Sequence, residues 1–142
     1  MKYLLDTDHL SILQRKAGQD YLRLSTWMAQ FTPADFACCV VSLHEQVVSA
    51  HAFLNQAKNS AGLMRGYELL ERLPRAYLVF ALLPFDASAA ALYDGLLAQN
   101  LRVGSMDLRL ASVARSRNLT VLTRNLRDFG RVPGLNIEDR TV

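Results

Sequence analysis

Phe36-Ala37-Cys38-Cys39-Val40-Val41, followed at once by Ser42-Leu43-His44-Glu45, is a short apolar run that gives way to a Ser-x-x-Glu pattern. The run is too brief for a helix of its own and predicts a strand over Phe36–Val41. Ser42 and Glu45 have the spacing of a capping box, in which each serves the other's free N–H, and they predict a helix from there to about Lys58. A strand that passes directly into a helix is one unit of an alternation, and the same alternation continues on both sides. Towards the N-terminus, Lys2–Leu5 reads as a short buried strand. Asp8–Arg15 and Asp20–Phe31 read as helices, the second with Tyr21, Leu24, Trp27, Met28 and Phe31 at helical spacing. Towards the C-terminus, Ala61–Leu73 is a helix that Pro74 should end, and Tyr77–Leu83 is a third strand. Pro84-Phe85-Asp86 is a turn with Asp86 as N-cap to an alanine-rich helix over Ala87–Gln99. Gly104-Ser105 breaks the chain before a helix over Met106–Arg117, and Thr120–Thr123 is a fourth strand. A loop with Asn125 and Asp128, the turn Val132-Pro133-Gly134 and an edge strand over Leu135–Glu138 complete the reading.

Strands alternating with helices imply right-handed crossovers, and so an α/β fold: a mostly parallel central sheet of about four to five strands, flanked by helices. No internal repeat, low-complexity tract or linker interrupts the 142 residues, so a single domain over 1–142 is expected. At 51% apolar and 20% charged residues the chain is globular, and it is long enough to bury a core without disulfides or a structural metal. No apolar run is long enough to cross a bilayer, and Met1-Lys2-Tyr3-Leu4-Leu5 meets Asp6 before a signal-peptide hydrophobic stretch can form, so a cytoplasmic location is expected. Cys38 and Cys39, the only cysteines, point to opposite faces of a strand and read as core residues in a reducing compartment. A net charge of +3 permits an anionic partner, and its distribution is uneven: Arg102 to Arg131 holds seven arginines against Asp107 and Asp128. That is either a solvated helix face or a surface that meets nucleic acid.

In an open α/β sheet the carboxyl ends of the parallel strands line one edge, and ligands bind there. Asp6 directly follows the first strand, Glu45 comes just after the second, and Asp128 lies in the loop after the fourth. Asp107, at a helix start, need not share that edge, although a helix N-terminus is a natural place for it to approach. Gathered carboxylates repel, at about 4 kcal/mol for two charges 4 Å apart at an effective dielectric of 20. Such a cluster is relieved by protonation or by a cation. An all-oxygen set without His or Cys suits magnesium, with manganese as substitute, and a hard ion of this kind assists phosphodiester hydrolysis. Each acid also has a local explanation: Asp6 as an N-cap, Glu45 as the third residue of its capping box, Asp107 through the helix dipole, Asp128 as an exposed loop acid.

Leu4-Leu5-Asp6-Thr7-Asp8, Val41-Ser42-Leu43-His44-Glu45, Gly104-Ser105-Met106-Asp107-Leu108-Arg109-Leu110-Ala111 and Val121-Leu122-Thr123-Arg124-Asn125-Leu126-Arg127-Asp128-Phe129, then Val132-Pro133-Gly134-Leu135, occur in the order and spacing of VapC-like PIN-domain ribonucleases. The chain resembles that family over essentially its whole length, most specifically in the last segment. The resemblance implies that Asp6, Glu45 and Asp107 bind metal, with Asp128 at the fourth acidic position and Asn125 beside it as a rival for that role. It also implies an RNA substrate, a homodimer, and a small antitoxin that covers the active site and binds operator DNA. Thr7, Ser105 and Thr123 lie beside the proposed ligands and could orient them or a water.

The chain departs from the family pattern at Ser49, where many relatives have glycine, at Val48, and at Glu138-Asp139-Arg140, where the pattern closes on Asp-Trp. None of these removes a carboxylate. Two further readings remain for comparison. Asp6-Thr7-Asp8 also looks like the first motif of haloacid-dehalogenase-type phosphatases, but Leu10 stands where that motif has Thr or Val, and no later lysine precedes a paired-acid motif. An inactive PIN-like module that only binds RNA or protein is the other. His44-Glu45 begins a zinc-protease motif that Val48 ends, and His9 and His51 are expected to be surface or partly buried polar groups.

Overall fold

The computed structural model describes all 142 residues. Tyr3–Leu5 (β1) forms the middle of the sheet, paired in parallel with Phe36–Cys39 (β2) on one side and Thr120–Leu122 (β4) on the other. Ala81–Leu83 (β3) and Ile137–Glu138 (β5) complete a five-stranded, wholly parallel sheet in the order β3-β2-β1-β4-β5. Thr7–Arg15 (α1), Gln19–Met28 (α2), Val40–Gln56 (α3), Ser60–Ala76 (α4), Ala87–Leu97 (α5), Ser105–Ser116 (α6) and the single turn Leu126–Phe129 (α7) fill the connections. This is the α/β class expected from the alternation, and Pro33–Asp35 adds one 3-10 turn before β2. No helix is long and apolar enough to cross a membrane.

Strand alternation divides the core in two. Leu4, Ala37, Cys39 and Val121 face α5, α6 and Phe129, whereas Leu5, Phe36, Cys38 and Leu122 face Leu10, Leu73 and Tyr77 of the opposite layer. The adjacent cysteines therefore do point to opposite faces; both are free, and burial pushes each thiol up to about 11. Helix α6 is nearly engulfed: Leu108 and Leu110 to Ala114 are all buried. Its small residues Ala111, Ser112 and Ala114 leave room for this, and the Ser112 hydroxyl donates back to the Leu108 carbonyl at 2.7 Å.

The structure corrects two expected boundaries. Strand β2 stops at Cys39 and α3 begins at Val40, so Ser42 and Glu45 lie inside the helix and the capping box does not form. Cys39 is the N-cap instead, its sulfur accepting from the Val41 N–H at 3.4 Å. The cause is β3: Leu83 is the last partner of Cys39, and the following Pro84 has no N–H to extend the ladder. Helix α4 runs through Pro74 to Ala76, so Tyr77–Phe80 is the helix cap and a turn, not strand. The proline forfeits only the hydrogen bond to the Leu70 carbonyl, and Tyr77 N–H still donates to Leu73 at 3.2 Å. Pro74 is exposed. Pro74→Ala should therefore raise stability by about 1–2 kcal/mol, the restored bond outweighing the freedom regained by the unfolded chain. Urea unfolding measures this, and an unmoved midpoint would show that the helix end carries no strain.

Candidate active site

The carboxyl edge of the sheet brings Asp6, Glu45 and Asp107 together, with one carboxylate oxygen of each within 4.8 Å of the others. Asp6 leaves β1 in extended conformation, its N–H completing the ladder to Leu122 at 2.9 Å, and it becomes the N-cap of α1. One of its oxygens accepts from Thr7 N–H at 2.7 Å and the other from the Thr123 hydroxyl at 2.8 Å. Glu45 lies in the second turn of α3 and accepts from the Thr7 hydroxyl at 3.0 Å. Had the capping box formed, this carboxylate would have been engaged by the backbone. Asp107, in the first turn of α6, accepts from the Asn125 amide at 3.3 Å.

Asp128 stands one step outside this group. Asn125 caps α7 and its amide nitrogen also donates to Asp128 at 3.1 Å, while Arg131 lies 3.5 Å from the other Asp128 oxygen. Asn125 is thus the residue that joins Asp128 to Asp107. Of the neighbours singled out in the sequence, Thr7, Thr123 and Asn125 hold the acids. Ser105 is exposed at the first position of α6.

Burial, and after it mutual repulsion, raises the proton affinity of the cluster. Burial, and then the charge of Asp8, push the Asp6 carboxyl up to about 7, against the opposing hydrogen bonds from Thr123 and Thr7; Asp107 adds to the rise. Burial, then Glu45, Asp128 and Asp8, push Asp107 up to about 6 despite the Asn125 amide. An oxygen-only triad of this kind fits a hard divalent cation, whose charge removes the repulsion the protein itself leaves uncompensated.

Asp8 is not one of the three clustered acids. One oxygen accepts from His9 Nδ1 at 2.7 Å, the other from Arg124 N–H at 2.9 Å. Burial raises its carboxyl, but these bonds and the histidine outweigh it and hold Asp8 below the usual carboxylate range. A phosphatase of the Asp-x-Asp type needs that second acid free to deliver a proton, and here it is engaged on both sides.

No protein-family model matches the chain. It is, however, 30% identical to the tRNA(fMet)-specific endonuclease VapC of Salmonella typhimurium over 145 residues, spanning 98% of each chain. The chain belongs to the VapC family. Solved VapC-family complexes share its fold. VapBC2 from Rickettsia felis, bound to a DNA fragment from its promoter, superposes with a TM-score of 0.75 at 22% identity, and DNA-bound VapBC from Salmonella typhimurium with 0.71 at 26% identity; each match covers 98% of both chains. Membership of the VapC family makes the chain a nuclease by descent, in the single PIN-like fold that its sequence resembled.

One buried polar residue beside the candidate site departs from its expected place. His9, expected like His51 to be a surface or partly buried polar group, is wholly buried, while His51 is exposed. The signal lay in its helical position: His9 sits beside Leu10 and three residues before Ile12, on the buried face of α1. A polar ring on such a face has to be supplied with partners.

Proposed function

We propose that this chain is a magnesium-dependent endoribonuclease, the toxin of a VapBC-type pair. The observation that carries the reading is the convergence of Asp6, Glu45 and Asp107 within 4.8 Å, with two of them carrying raised proton affinities. Asp6, Glu45 and Asp107 would hold the ion, with Asp128 at the margin, and manganese would substitute. Bound there, a divalent cation supplies positive charge for an attacking water and for the leaving oxygen of a phosphodiester. The chain's part is placement. Thr7 fixes Glu45, Thr123 fixes Asp6, and the Asn125 amide fixes Asp107. Exposed Arg124, just after β4, and Arg127, in α7, offer charge to an RNA backbone.

The solved VapBC relatives are toxin–antitoxin complexes, which supports a small antitoxin as partner, reaching operator DNA on the toxin's behalf; a homodimeric toxin is the further expectation carried over from the family resemblance. The name of the Salmonella relative makes initiator tRNA the first RNA to try. Incubation with RNA in magnesium should yield cleavage that chelator stops, while a generic phosphomonoester stays intact. Cleavage that survives chelation would reject the metal, and RNA left intact in magnesium would favour a binding module. Co-expression with the cognate small antitoxin should relieve growth arrest.

Asn125 and Asp128 compete for the fourth place, and the hydrogen bonds favour the amide. Asn125→Ala, which frees Asp107, should cost about 10–100-fold in kcat/KM, and Asp128→Ala distinctly less. The opposite order would put Asp128 on the ion.

A further inference from the structure

His9 is buried completely, three residues after the first proposed ligand, and no step of the hydrolysis uses it. Its two ring nitrogens face in opposite directions. Nε2 accepts from the Arg140 N–H at 3.4 Å, which leaves the ring hydrogen on Nδ1, where it is donated to Asp8 at 2.7 Å. Asp8 in turn accepts from Arg124 N–H at 2.9 Å and lies 3.3 Å from the Thr123 hydroxyl. That hydroxyl bonds Asp6 at 2.8 Å and accepts from Asn125 N–H at 2.9 Å; Asn125 reaches Asp107. A continuous chain of hydrogen bonds thus runs from residue 140 to two of the three clustered acids.

The far end of that chain is itself anchored. The Arg140 guanidinium lies 4.5 Å over the Trp27 ring and pairs with Glu138 at 2.7 Å. Asp139 accepts from both Thr141 N–H and its hydroxyl, at 2.9 and 2.6 Å, and stands 3.8 Å from His9 Nε2. Thr141 is buried, and its carbonyl receives Arg23 of α2. Arg140 occupies the stretch that departs from the family pattern, and its backbone N–H selects the histidine tautomer.

We infer that His9 and Asp8 are positioning residues for the nuclease, through which the segment Asp139–Thr141 holds the Thr123 hydroxyl against Asp6. Thr123 has one hydrogen for two carboxylate acceptors. With Asp8 supplied by His9 and Arg124, the hydroxyl hydrogen is left to Asp6, whose remaining lone pairs then face the triad. Without the His9 donor, Asp8 draws that hydrogen to itself, and Asp6 loses the partner that sets its orientation. Outer groups of this kind commonly govern metal affinity as strongly as activity.

This inference rests on the metal-dependent reading, so its test begins with the ion. Binding of Mn2+ to the full chain, followed by the electron paramagnetic resonance of free Mn2+, is measured for wild type, His9→Leu and His9→Asn, with melting temperatures in chelator and kcat and KM on RNA. His9→Leu should weaken Mn2+ binding and lower kcat by about 10–100-fold each, with the KM for RNA changed by less than about threefold. His9→Asn keeps a donor near the Nδ1 position. It should recover both to within about threefold of wild type, although its smaller side chain leaves a cavity and a lower melting temperature than His9→Leu. That inversion separates positioning from packing. Equal Mn2+ affinity in wild type and His9→Leu, or activity that follows melting temperature across the set, would overturn the inference while leaving the nuclease intact. A wild type that binds no Mn2+ would remove both. If His9→Leu does not fold, His9→Gln, whose amide reaches the Nε2 side and abandons Asp8, takes its place with the same expectation.

Discussion

Asp107→Asn should be inactive on RNA and yet, in chelator at neutral pH, more stable than wild type. The loss follows from removing a proposed ligand that has direct access to the ion. Several kcal/mol of transition-state stabilisation disappear, which corresponds to a fall of about 10³-fold or more in kcat/KM. The gain follows from the repulsion that pushes Asp107 up to about 6 after burial: an amide carries no charge into the neighbourhood of Glu45, Asp128 and Asp8. Asp6→Asn should behave alike, because asparagine remains a good N-cap for α1 and can still meet Thr7 N–H. Single-turnover cleavage and thermal melting on the same preparations check both halves. Retained cleavage in both variants would dismiss the site. Inactivity with a lowered melting temperature would mean that the carboxylates stabilise the fold rather than burden it.

The second large effect is on pH. Asp6, at about 7 when folded, has an ordinary value of 3.8, and Asp107 moves in the same direction. A raised carboxylate makes the folded state bind more protons than the unfolded one. Its contribution is complete below pH 3.8 and is lost as pH climbs through the folded value. Metal-free protein should therefore gain stability on acidification from about pH 7 towards 4, by on the order of 4 kcal/mol from Asp6 alone. Asp8 has the opposite sense, being held low, but its loss begins only below the ordinary carboxylate value and lies outside this window. Urea unfolding in chelator across that range measures the slope. A flat or falling profile would show that burial and the neighbouring charges do not raise these acids. The same protons must leave when an ion binds, so apparent Mn2+ affinity should weaken steadily as pH drops from about 7 to 5, with proton release visible as buffer-dependent heat.

Both effects involve residues that could be found in the sequence, though not for uniform reasons. Asp6 was legible because an acid at the end of a buried strand has few structural excuses, and the parallel topology then located it. Asp107 depended on the α6 N-terminus reaching the same edge, which strand order alone does not dictate. Glu45 was identified through family resemblance while its local pattern argued for a cap. The cap failed because the length of β2 is decided by β3, forty residues further on, and no window around Ser42 contains that information. The Ser42 hydroxyl, deprived of that duty, is buried without a protein partner. Pro74 misled for a related reason: a proline near a helix end costs one bond, and the packing of Leu73 and Tyr77 against the sheet outweighs it. His9 and its partners at residues 139–141 lie more than a hundred positions apart, and only the folded chain joins them.

Of the five strands the first in chain order occupies the centre of the sheet, and one of its two neighbours, β4, follows more than a hundred residues later. Until residue 122 has emerged, β1 lacks a flank, and the hydroxyl and amide of Thr123 and Asn125 that aim the acids do not yet exist. A chain that lacks β4 therefore cannot hold Asp6 and Asp107 as the whole fold does. Assembly of the carboxylate cluster thus waits on the fourth strand, however early its first acid is made.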